Sequence, residues 1–301
     1  MASVWLAALA LVLAGPVPSM LARARWPQRV PRAAIVLWQA IALAAVLAAV
    51  GSALAAPEEL LRALGPEERR GTPMVVAVAI AAVLAGLIVL RLLGVLVLLA
   101  VRTRRRRARH RDMVDLLDRA ERSALIGGGS GAKSVLRVLD GAVPFAYCVP
   151  GRAPRVVVTG AALDTLDPEE LRAVLAHEQA HLDARHDLVR EGFVALHQAF
   201  PVLARSRQAR DAVGMLLEML ADDAARARCS DTAMAGALEA FGATGDREVN
   251  ARLERVRSHP CGSRTLATGT YLAALAVVVV PTVAVVIPWL SVALPAAGVL
   301  R

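Results

Sequence analysis

A chain of 301 residues that is 56% hydrophobic and only 20% charged, with a mean hydropathy of +0.52, is too apolar for an ordinary soluble domain and reads as a membrane protein. Its net charge of +9 does not make it a nucleic-acid binder. Aromatic residues are 3% of the chain, and the arginines gather beside apolar runs, where they set orientation and attract anionic headgroups.

Four windows, about residues 2–22, 33–56, 74–101 and 266–294, are long and almost free of charge. At ~1.5 Å per residue each is long enough to cross a roughly 30 Å hydrocarbon core. No basic residue precedes the first window, whereas Arg23, Arg25, Arg29 and Arg32 follow it, the charge order of an uncleaved anchor with its N-terminus outside. A second basic cluster, "VRTRRRRARHR" from Val101 to Arg111, follows the third window. The positive-inside rule places both clusters in the cytoplasm. The expectation is a multi-pass protein of the cell membrane, with a large cytoplasmic segment from about 102 to 264 and a short outer tail. Arg91 lies inside the third window. The helix is expected to leave the membrane near it, the alternative being an arginine that faces the bundle and snorkels.

Beyond the arginines, "DMVDLLDRAERS" (Asp112 to Ser123) has helical spacing and "IGGGSGAKS" breaks it. "SVLRVLDGAVPFAYCVP" and "PRVVVTG" then read as two or three strands. Either "PFAYCV" or "PRVVV" presents an edge along which an extended peptide can pair. Cys148, Cys229 and Cys261 are odd in number and lack the close spacing of a thiolate metal site, so free thiols are expected.

"LDPEELRAVLAHEQAHL" opens as a helix, with Asp167 as N-cap, Pro168 at the first position and Glu170 completing a capping box. Leu171, Val174, Leu175 and Leu182 form its apolar stripe, and His177 and His181, one turn apart, point to one side. Two imidazoles so placed supply two corners of a zinc tetrahedron, and a third ligand must come from elsewhere. About forty residues on, "AVGMLLEMLADDAARARC" is another strong helix former, with Glu218 and Asp222 one turn apart among Leu, Met and Ala. A carboxylate in such company needs a partner. Asp222 is preferred to Asp223 because it shares the helix face of Glu218. His186, Asp183 and Asp187 read as a solvated helix end, and His110 and His197 as structural.

Together these residues resemble the membrane-embedded gluzincin peptidases, in which His-Glu-x-x-His on one helix is completed by Glu of a Glu-x-x-x-Asp pattern on a later one. The chain looks most like the BlaR/MecR-type membrane peptidases, and the run from Arg155 to Leu182 is also similar to the HtpX and CaaX-protease group. "SHPCGSR", from Ser258 to Arg264, is similar to a His-Pro and Arg element of these relatives. The resemblance implies one Zn2+ per chain held by His177, His181 and Glu218, with Glu178 as catalytic base and Asp222 orienting a ligand histidine. It leaves His259 and Arg264 as possible oxyanion stabilisers.

The fold then expected is a mainly α membrane protein, with four transmembrane helices and a cytoplasmic α+β gluzincin-type peptidase domain inserted between spans three and four. Residues 1–101 would hold three spans, 102–264 the peptidase domain, and 265–301 the fourth span and tail. The expected activity is that of a zinc metalloendopeptidase cutting a cytosolic regulator such as a BlaI/MecI-like transcriptional repressor. The alternatives are an HtpX-like peptidase for membrane-protein quality control and a non-catalytic signalling scaffold with a peptidase fold. No penicillin-binding sensor is expected. Cleavage sequence, activating stimulus and oligomeric state have no signature in the chain.

Overall fold

The computed structural model describes residues 2–63, 72–118, 135–200, 207–242, 247–258 and 263–298. Two compact units emerge: Met1–Leu96 with Val194–Ala212 and Gly262–Arg301, and Val97–Phe193 with Val213–Cys261.

The first unit begins with helices α1 (Ala2–Ala14) and α2 (Pro16–Arg23). The first apolar window is thus two helices, divided at Gly15 because Pro16 has no N–H to continue the ladder and sits well as an opening residue. After a short 3-10 turn at Trp26–Arg29, α3 covers Pro31–Ala63 and α4 covers Thr72–Leu117. The last long helix of the chain, Arg264–Gly298, also belongs to this unit. Leu13, Leu37, Ile41 and Ala274 share one buried cluster there. Ala34, Ala44 and Ala48 on α3 are fully buried, and such small residues let neighbouring helices come close. Four helical stretches are long and apolar enough to cross a membrane: Ala2–Arg23, Pro31–Ala56, Val75–Leu117 and Arg264–Ala284.

Helix α4 departs from expectation. It runs unbroken through Arg91 and the arginine cluster to Leu117, so the helix expected from Asp112 is the end of the third span's own helix. Leu, Ala and Arg between residues 92 and 111 are good helix formers, and nothing there stops propagation. Arg91 lies within this helix, and its Nε donates to the Ala199 carbonyl at 2.5 Å. The glycine-rich break falls outside the described residues.

In the second unit, β1 (Val135–Leu139), β2 (Ala146–Val149) and β3 (Arg155–Thr159) form a sheet of order β1-β3-β2. β1 runs parallel to β3 and β2 antiparallel to it, with Cys148 opposite Val156. Val156, Val157 and Val158 are all buried, which explains a continuous valine run where a half-exposed strand would alternate. "PRVVV" is therefore the central strand, and the edge alternative for it is ruled out. β2, within "PFAYCV", pairs with β3 on one side and with no other strand among the described residues.

Next come α5 (Gly160–Thr165), capped by Thr159, and α6 (Pro168–Asp183). Asp167 accepts from the backbone N–H groups of Glu169 and Glu170, and Glu170 reaches back to the Asp167 N–H. The deepest residues of α6 are Ala173, Val174, His177 and Ala180. The leucines expected there, Leu171, Leu175 and Leu182, are half-buried at the margin of the same core, because small alanines fit where the helix meets the sheet. α7 (His186–Ala199), α8 (Arg207–Arg226), α9 (Asp231–Phe241) and α10 (Arg247–Ser258) follow. With the closing helix α11 (Arg264–Gly298) they complete the elements. Val156, Val158, Val174, Ala225, Met234, Leu238 and Val256 make one core from sheet, α6, α8, α9 and α10.

Candidate metal site

The 3.6-residue period of α6 stacks His177 and His181 one turn apart, and α8 presents Glu218 to both. Their ligand atoms lie within 4.8 Å of one another. Nε2 of His177 and Nε2 of His181 are 3.1 Å apart. The Glu218 carboxylate oxygens stand 3.3 Å from the first and 3.5 Å from the second. Three donors at the corners of a tetrahedron with bonds of about 2.0–2.1 Å would be about 3.3 Å apart. Two imidazole nitrogens and one carboxylate are, moreover, a zinc-type donor set. The residues present fit the ion.

Behind His177, Asp222 is 1% exposed and brings Oδ1 to 2.9 Å from Nδ1, although the ring N–H is not aligned on it. Asp222 is held in turn by Arg252, whose Nε and Nη2 donate to its two oxygens at 2.8 and 2.6 Å. Arg252 Nη1 also lies 3.4 Å from Glu218. Asp223 turns instead to Arg255. Arg190 of α7 approaches Glu218 from the exposed side at 3.5 Å.

These pairs decide the charge of the cluster. Burial pushes His177 down, but Asp222 and Glu218 more than offset it, and its pKa rises to about 9. Burial likewise opposes ionisation of Glu218, yet His177 and His181 hold it well below the usual carboxylate range. Asp222 is also lowered against burial, by Arg252 and then His177.

Glu178 lines a cavity of about 230 Å³ together with His177, Glu218 and Arg252. The rest of its lining is mostly apolar, with Val174, Met234, Leu238 and Phe241 beside Phe145 and Ala146. Cys148, on β2, has its thiol pushed up by burial and by the neighbouring Glu178 carboxylate. Cys148 and Cys229 are free, and Cys261 lies outside the described residues.

His186 overturns the expectation of a solvated helix end. It is 6% exposed, and its Nδ1 is 3.0 Å from Nδ1 of His181. Asp187 is not simply solvated either, since Arg107 of α4 bridges it and Glu191 at 2.7 and 2.5 Å. His110 pairs with the Tyr147 hydroxyl at 2.9 Å. Of the two proposed oxyanion stabilisers, His259 lies outside the described residues, and Arg264 opens α11 in the first unit, exposed. Among the described residues of the second unit, Arg252 and Arg190 adjoin the cluster, and sequence reasoning missed both. For Arg252 a signal existed: it lies three residues after Val249 and four before Val256, on the inward face of α10, where an arginine needs an acid.

Residues 115–229 match the family model described as Peptidase family M48. No curated protein matches the chain. No solved structure matches it either. The matched segment contains α6 and α8, hence His177, Glu178, His181, Glu218 and Asp222, while Arg252 lies beyond it. The part of the chain that carries the site is thus similar to a metallopeptidase family, M48, and the match singles out neither the BlaR/MecR nor the HtpX group.

Proposed function

We propose that this protein is a membrane-anchored zinc metalloendopeptidase whose catalytic segment occupies about residues 102–264. The observation that carries the reading is the convergence of His177 Nε2, His181 Nε2 and the Glu218 carboxylate at tetrahedral spacing, with Glu178 on the wall of the adjoining cavity. His177, His181 and Glu218 would hold zinc, which when bound supplies Lewis acidity toward water and a peptide carbonyl. Glu178 follows His177 on the helix and serves as general base, taking a proton from the attacking water and passing it to the leaving amine. Asp222, fixed by Arg252, orients His177. The edge of β2 that no other described strand covers suits an extended substrate backbone, and the apolar lining suits one of its side chains.

By charge order, the peptidase segment is cytoplasmic and the N-terminus outside. The substrate we favour is a cytosolic regulatory protein, with a BlaI/MecI-like repressor as the type suggested by resemblance. The test is mapping of new protein N-termini in cells expressing wild type or Glu178→Gln at equal levels, with zinc content measured on both purified proteins. Glu178→Gln should keep its zinc and lose about 10²–10⁴-fold in turnover. A few cuts, present only with wild type and in a cytosolic regulator, support the reading. Cuts spread over many membrane proteins favour the quality-control reading. A phenotype untouched by Glu178→Gln favours the scaffold.

A further inference from the structure

The two histidines of α6 are backed differently. His177 has a carboxylate behind it, whereas the atom behind His181 is the Nδ1 of another imidazole, His186, at 3.0 Å. The two rings stand edge to face at 88°, with centroids 4.8 Å apart. Arg185, in the left-handed region with φ 50°, turns the chain sharply between α6 and α7. That turn folds His186, the first residue of α7, back against His181.

We propose that His186 is a positioning residue for the metal ligand His181. The inference rests on the zinc reading above. A neutral imidazole has one N–H and one lone pair. If His181 offers its Nε2 lone pair toward His177 and Glu218, its proton is on Nδ1, and the group facing that proton is Nδ1 of His186. His186 accepts the hydrogen bond there and carries its own proton on Nε2. One contact therefore fixes the tautomer and the ring orientation of His181. Because the acceptor is neutral, it does so without a further negative charge beside a site already holding Glu218 and Asp222. The rival view is a core histidine that only fills space, which requires a ring of similar size but no acceptor.

The experiment uses the full chain in detergent: wild type, His186→Phe, which keeps a ring without an acceptor, and His186→Asn, whose Oδ1 reproduces the Nδ1 position. Zinc affinity is read by competition with a chromogenic chelator, ligand geometry by the visible spectrum of the cobalt-substituted protein, and folding by thermal denaturation of the metal-free protein. The expected result is a 10–100-fold weaker zinc affinity for His186→Phe with an altered cobalt spectrum, and recovery of most of both in His186→Asn. Zinc binding by His186→Phe equal to wild type overturns the proposal. So does an Asn variant as impaired as Phe while its metal-free form melts like wild type. If His186→Phe does not fold, the Asn variant and the wild-type ring-nitrogen shifts of His181 and His186, which report where each proton sits, decide alone. A wild-type protein that binds no zinc fails at the earlier step, and with it the metal reading on which this one stands.

Discussion

His177 meets opposing demands: burial disfavours its cation, while two carboxylates favour it strongly enough to raise its pKa to about 9. A histidine that ligates zinc must be neutral, so at pH 7 the metal-free site holds a proton that zinc binding expels. The sign follows directly. Apparent zinc affinity should rise as pH climbs from 7 toward 9, by about tenfold per unit for one expelled proton, and level off above the raised pKa. Chelator competition across that range checks it, and an affinity flat between pH 7 and 9 would show that His177 is already neutral. The pairing of Asp222 with Arg252 makes the carboxylate a fixed anion at all these pH values, so it contributes orientation and no titration step of its own.

At the scale of elements, the helix that carries the histidines announces itself locally. Asp167, Pro168 and Glu170 are closely spaced signals, and the structure closes the capping-box hydrogen bonds of Asp167 and Glu170. Asp167→Ala removes the acceptor for two backbone N–H groups and should cost about 1 kcal/mol, lowering the midpoint of thermal unfolding by a few degrees. Zinc stoichiometry should stay the same, since His177 lies more than two turns from the cap. An unchanged midpoint would mean that packing alone holds the helix start. The partnership of α6 with α8 was legible only in outline: a carboxylate pair one turn apart in an apolar helix asks for partners, but nothing local says which. The strand edge was less legible still. β2 (Ala-Tyr-Cys-Val) and β3 (Arg-Val-Val-Val-Thr) both read as strands, and the order β1-β3-β2 is what makes β3 central.

Across the whole molecule, the four apolar helical stretches predict that the protein stays with the membrane fraction after an alkaline carbonate wash, which strips peripheral proteins. Release into the supernatant would refute the reading of spans. Composition determined that much by itself, because the partition of twenty apolar residues between water and lipid is a property of the stretch and needs no neighbour. The sequence also determined the pairing of His177 with His181, through the helical period, and the cap that starts their helix. Tertiary structure alone decided that Arg252 pairs with Asp222 and Arg190 approaches Glu218, and that "ARHD" turns inward at Arg185 to place His186 against His181. These are contacts between residues far apart in the chain, or reversals of direction at one residue. Their energy comes from the packed core around them, which no local pattern encodes.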